Sequence, residues 1–201
     1  MDAESPAAGE KSEHRNTPRS AAFRAYIAQS WSPRSGALPA QLPSAPYAAA
    51  RRERLSAAFP RERLVLPAGG LSVRSNDCDY RFRPHSAFAH LTGLGTDQEP
   101  DAVLVLEPVG QAHAAVLYFR PRAERDTEEF YSDATYGELW VGVRPSLAEI
   151  TALTGLATRH LDELRDSVAK DTGEGGVSVR IIREADAALT AHLDQARAGS
   201  A

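Results

Sequence analysis

Apolar positions recur at helical spacing over Phe23, Tyr26, Ile27 and Trp31, which predicts an amphipathic helix capped by Thr17, with Pro18 at its first position. That stripe requires a covering surface, either the chain's own core or another subunit or domain. SPRSGALPAQLPSAP (32–46) is Pro-rich and reads as a connector. From Tyr47 an Ala- and Arg-rich stretch through Leu55 to Phe59 predicts a second helix, and LVLPAG (64–69) is a short apolar run closed by glycine, the pattern of a buried strand. DAVLVLEP (101–108) and AAVLYFRP (114–121) are two further strands, each ended by proline and joined by a short Gly-containing loop, as in a hairpin. Behind Pro145, Ser146 and Glu149 have the spacing of a capping box. Leu161, Leu164 and Val168 mark another helix, stopped by GEGG (173–176). VSVRII (177–182) is a fourth strand, and Leu189, Leu193 and Ala196 share one face of a closing helix from near Asp186. Strands interleave with helices, so the fold class is α/β, a sheet layered with helices.

Length and composition narrow this picture. A chain of 201 residues, 42% hydrophobic and 25% charged, has material for one substantial core. Residues 1–16 are too polar to offset the entropy of ordering and are expected to be a disordered leader. A net charge of −4 gives no electrostatic reason for a nucleic-acid or anionic-membrane partner. The opening residues lack a secretory pattern, and no window reaches the roughly 18 apolar residues of a membrane span, so a cytoplasmic protein is expected. Cys78 is the single cysteine, which rules out an internal disulfide and a thiolate cluster for zinc.

The chemistry-bearing residues concentrate in NDCDYRFRPHSAFAHLTGL (76–94). Asp77, Asp79, His85 and His90 are metal-ligand types, but the spacing of the two histidines does not force both imidazoles onto one face. The spacing favours a plainer reading in which Tyr80, Phe82, Phe88 and Leu91 anchor the core while Arg81, Arg83 and His85 face solvent or bond the backbone. Cys78 lies between two aspartates, which disfavour its thiolate. No GxSxG nucleophile elbow is present, and Gly93 and Gly95 precede a strand where phosphate loops follow one, so they read as a turn. The acids of LDELRDSVAKDTGE (161–174) read as a solvated helix face. No catalytic constellation and no metal site emerge from these residues.

Two blocks, RSNDCDYRFRPHSAFAHLTG (74–93) and EPDAVLVL (99–106), resemble the N-terminal domain of aminopeptidase P, the Xaa-Pro aminopeptidase. Asn76, Asp77 and Asp79 match that family's turn, Tyr80, Phe82 and Arg83 its next strand, and Ser86, Phe88, Leu91, Thr92 and Gly93 the segment after it. Glu99, Pro100, Asp101 and Ala102 complete the second block, and Arg125, Asp126 and ELWVGVR (138–144) match a further Arg-Asp … Glu-x-Trp-x-Gly-x-Arg segment. Ala87, His90 and Leu94 depart from the residues common there.

The resemblance implies a creatinase-like mixed sheet of about five or six strands flanked by helices. It places this domain at 47–201, preceded by a helical extension and connector at 17–46. It further implies a non-catalytic first domain of a metallopeptidase that removes the N-terminal residue from peptides with proline second. Two divalent metals, usually manganese, would lie in a separate C-terminal catalytic domain, so this chain alone is expected to be inactive. The partners so implied are proline-containing peptides, that catalytic domain and further copies in a homo-oligomer. Trp140 is similar to a family tryptophan that reaches a neighbouring subunit's cleft, though ordinary core or subunit packing is an equal alternative, and Asp77 and Arg83 are the polar candidates for substrate contact. The rival from another class is a stand-alone non-catalytic binding or interaction domain.

Overall fold

The computed structural model describes residues 20–76 and 78–198. The expected leader at 1–16, Thr17, Pro18 and Asp77 lie outside them. Packing divides the described residues into two compact units, one within 36–121 and 145–198 and one within 20–35 and 122–144.

The larger unit is built on a five-stranded mixed sheet, as expected. Its strands are β1 (Glu62–Pro67), β4 (Val103–Val109), β5 (Ala112–Phe119), β6 (Ala157–His160) and β7 (Ser178–Ile181), in the order β6-β5-β4-β1-β7. The hairpin β4–β5 and the pair β1–β4 are antiparallel, while β7 joins β1, and β6 joins β5, in parallel. Alternation sorts the side chains. Leu64, Leu66, Leu104, Leu106, Leu117 and Phe119 belong to one buried cluster with Phe88 and Leu91 of α3 (Ser86–Thr92) and Ile150 of α6 (Leu147–Thr154). Leu55 and Phe59, from α2 (Ala45–Ala58) and its end, pack on that cluster. Val65, Val103, Val105, Tyr118 and Val179 meet Leu164 and Val168 of α7 (Leu164–Ala169) and Leu189 and Leu193 of α8 (Ala187–Ala198). Covered on both faces, β1 is buried over five consecutive residues, apolar from Leu64 onward and opened by Arg63.

Arg63 is 2% exposed within that run, and its charge is matched on every side. It forms a bidentate pair with Glu107 at 2.6 and 2.7 Å and donates to the carbonyls of Val168 and Lys170 at 2.8 and 2.7 Å. The guanidinium therefore ties β1 and β4 to the carbonyl-rich end of α7. The capping box at α6 is present as the sequence indicates, with Ser146 Oγ accepting from Glu149 N–H and Glu149 accepting from Ser146 N–H. Gly93 and Gly155, both left-handed, close α3 and α6.

Several expectations require correction. The strand expected over Tyr80, Phe82 and Arg83 is absent. A small hairpin of β2 (Val73–Ser75) and β3 (Cys78–Asp79) ends just before it, and residues 80–85 run on without strand pairing into α3. Tyr80 is 59% exposed rather than a core anchor, because its backbone N–H bonds Ser72 O on the exposed hairpin and leaves the ring outside. Phe82, Phe88 and Leu91 are buried as expected. The sequence reading had no strand at β6, and the helix expected from Leu161 opens with a 3-10 turn over Leu161–Glu163.

The smaller unit contains α1 (Ala21–Ile27), α4 (Glu128–Ser132) and α5 (Glu138–Val141). Among the described residues α1 is capped by Ser20, whose Oγ accepts from Phe23 N–H, so the cap sits after the expected Thr17. Of the two covering surfaces considered, the chain itself supplies one. Phe23 meets Tyr131 edge-on at 5.2 Å, Trp31 meets Phe130 at 5.3 Å, and the Arg125 guanidinium lies 5.3 Å from the Trp31 ring. Tyr26 stays exposed.

Candidate functional site

In the smaller unit, a close backbone approach positions Trp140. A Cβ at Gly137 would lie 2.5 Å from the carbonyl oxygens of both Glu129 and Asp133, so only glycine lets α5 start against the end of α4. The Glu138 carboxylate, with its side chain 7% exposed, takes the inner position. It pairs with Arg34 at 2.6 Å and accepts from Arg144 N–H at 2.8 Å. With Glu138 anchored inward, the next residues turn outward. Leu139, Trp140 and Val141 are about half exposed or more, and Val143 is almost fully so, forming an apolar ridge along a very short helix and the residues just after it. The Trp140 indole N–H donates to Tyr131 O at 2.7 Å, which fixes the ring while leaving it 64% exposed. What remains to a ligand is the flat apolar ring face, suited to stacking on a pyrrolidine ring.

In the larger unit, Arg83 is exposed on the wall of an open depression of about 490 Å³ lined by Gly70, Ser72, Tyr80, Arg81 and Phe82. Arg81 pairs with Asp97 at 2.5 Å. The other residues weighed for chemistry fall into structural roles. His85 caps α3, its Nδ1 accepting from Ala87 N–H at 3.3 Å, and its Nε2 is 3.8 Å from Glu184. His90 is exposed, its carbonyl accepting from Arg51. Cys78 is exposed on the hairpin. Among the described residues no group of three or more His, Cys, Asp or Glu side chains is placed to hold a metal ion, so the dinuclear metal chemistry has no fit there. No described helix is long and apolar enough to cross a membrane. Sequence reasoning missed Tyr80 as a surface residue and did not see that Leu139, Val141 and Val143 extend Trp140 into a ridge. The signal available was four large apolar residues within ELWVGV, too short a stretch for a helix to bury all of them.

Known proteins bear on both regions. Residues 48–177 match the family model of the aminopeptidase P N-terminal domain. The chain is 49% identical over 145 residues to Xaa-Pro aminopeptidase 1 of Streptomyces coelicolor, covering 72% of this chain and 28% of that protein. It is 48% identical over 148 residues to Xaa-Pro aminopeptidase 2 of the same organism, covering 73% and 30%. It thus spans less than a third of either relative. Aminopeptidase P from E. coli, in its low-pH form, shares the fold with a TM-score of 0.60 at 23% identity, over 76% of this chain and 32% of that one. By sequence and by fold alike, this chain belongs to the aminopeptidase P N-terminal domain family.

Proposed function

We propose that this chain is the N-terminal, non-catalytic domain of a metal-dependent Xaa-Pro aminopeptidase, shaping access to a site whose metals are held elsewhere in the full-length enzyme. The observation that carries the reading is the 49% identity over 145 residues to an Xaa-Pro aminopeptidase. The peptide bond before proline is a tertiary amide without an N–H, so an enzyme that grips its substrate through that N–H handles it badly. A pocket complementary to the ring replaces that grip. Trp140, in the smaller unit, supplies an immobilised aromatic face for it; Arg83, in the larger unit, and Asp77 are separate candidates for polar contact with the peptide. No hydrolytic step belongs to residues described here. Manganese as the metal, homo-oligomeric assembly and a cytoplasmic location complete the proposal.

The full-length gene product should release the first residue of Xaa-Pro-Xaa peptides and spare matched Xaa-Ala-Xaa peptides. The 201-residue chain alone should release nothing. A full-length product with no preference for proline in the second position would overturn the reading.

A further inference from the structure

We infer that Arg83 reads the C-terminal carboxylate of short peptide substrates, an inference that rests on the functional reading above. Among the described residues its guanidinium has neither an ion pair nor a hydrogen bond, although its neighbour Arg81 is matched by Asp97. It stands on the wall of the 490 Å³ depression beside the exposed ring of Tyr80, an arrangement of free cation next to apolar surface that fits a carboxylate at the end of a peptide.

The wall behind it is braced by the loop at 95–101. Asp97 N–H donates to Phe82 O at 3.1 Å and Asp101 N–H to Gly69 O at 2.9 Å, so the loop holds both strips of chain that line the depression. Asp97, Glu99 and Asp101 all have positive φ, at 62°, 48° and 60°, and the Asp101 carboxylate reaches so close to Gly70 that a Cβ there would lie 2.7 Å away. Non-glycine residues hold that conformation only where their surroundings impose it. The loop thus holds the backbone at Phe82, beside Arg83, and at Gly69, while the Arg83 side chain has no partner among the described residues. A pre-set wall with one cation unpaired among the described residues favours peptides whose terminal carboxylate reaches it.

The experiment compares Xaa-Pro-Xaa peptides as free acids and as C-terminal amides with the full-length product. The wild type should cleave the acid about three- to tenfold more efficiently in kcat/KM, the scale of one partly solvated charge-assisted contact. In Arg83→Met that ratio should fall to near one, and Arg83→Lys should restore part of it. Equal cleavage of acid and amide by the wild type, or an unchanged ratio in Arg83→Met, overturns the inference and leaves the functional reading standing. A product that cleaves no Xaa-Pro peptide overturns both. An amide carrying a downstream Glu should not recover the acid's rate; full recovery would mean that Arg83 reads side chains and not the terminus.

Discussion

The side chains of Arg63 and Trp140 mark opposite uses of a large residue. Arg63 is sealed and fully engaged, so replacing it with methionine takes the guanidinium donors from the Val168 and Lys170 carbonyls and removes half of the Glu107 pair. Denaturant titration of Arg63→Met should show a loss of about 2–4 kcal/mol, below the worst case for a broken buried pair because Glu107 is partly open to water. Trp140→Ala removes an exposed face and opens no cavity, so the melting transition should move little, within about 1 kcal/mol, while turnover of Xaa-Pro peptides by the full-length product falls. A large stability loss with normal turnover would place Trp140 in the core instead. The same contrast shows what could be read from sequence at this scale. Phe82, Phe88 and Leu91 were legible because apolar residues beside a predicted core tend to enter it. Tyr80 was not, since its side depends on where the neighbouring hairpin ends, and no periodicity within six residues encodes that. The openness of Arg83 depends likewise on Asp97 having chosen Arg81.

Among the elements, those with strong local signals formed where expected: the β4–β5 hairpin, the capped α6 and the apolar strands β1 and β7. The strand β6 was hidden because ATRH is short, largely polar and paired on one side only, so nothing but β5 declares it. Removing the α6 cap with Ser146→Ala should cost about 1 kcal/mol in thermal or chemical denaturation, since the Glu149 N–H loses its side-chain acceptor. Gly137→Ala should be far more damaging to α5, because carbonyl oxygens at 2.5 Å cannot yield as a flexible side chain would. Its signature is loss of the Trp140 emission environment before global unfolding. At α8 the pH dependence has a defined sign. Hydrogen bonding by Arg183 holds the Asp194 carboxyl below its usual range, with Arg197 adding to the effect. The contribution is therefore complete above the unfolded value of about 3.9 and is lost as pH falls through the lower folded value. In Asp194→Asn the stability curve should lose that acid limb and match the wild type only at the lowest pH.

For the molecule as a whole, composition and alternating patterns were enough to indicate a helix-covered sheet, and the family blocks supplied its approximate strand number. The packing that joins residues 122–144 with the N-terminal helix was not legible, since it rests on edge-on aromatic contacts between segments far apart in sequence. With no metal-binding group among the described residues, chelator treatment of the chain should leave its melting temperature unchanged, and elemental analysis should find well below one equivalent of zinc or manganese. Near-stoichiometric metal lost in a His85→Ala, His90→Ala variant would contradict this. The strand order has a further consequence, in time. The central hairpin β4–β5 closes between near neighbours, but β1 must wait for β7, its parallel partner, which lies far downstream in the chain. During synthesis one edge of β1 therefore stays unpaired, with Val65 uncovered by α8, until residues 178–198 have left the ribosome. A nascent chain halted before Ser178 would present that edge to its neighbours on the polysome, which makes the translation rate through β7 and α8 a determinant of the soluble yield.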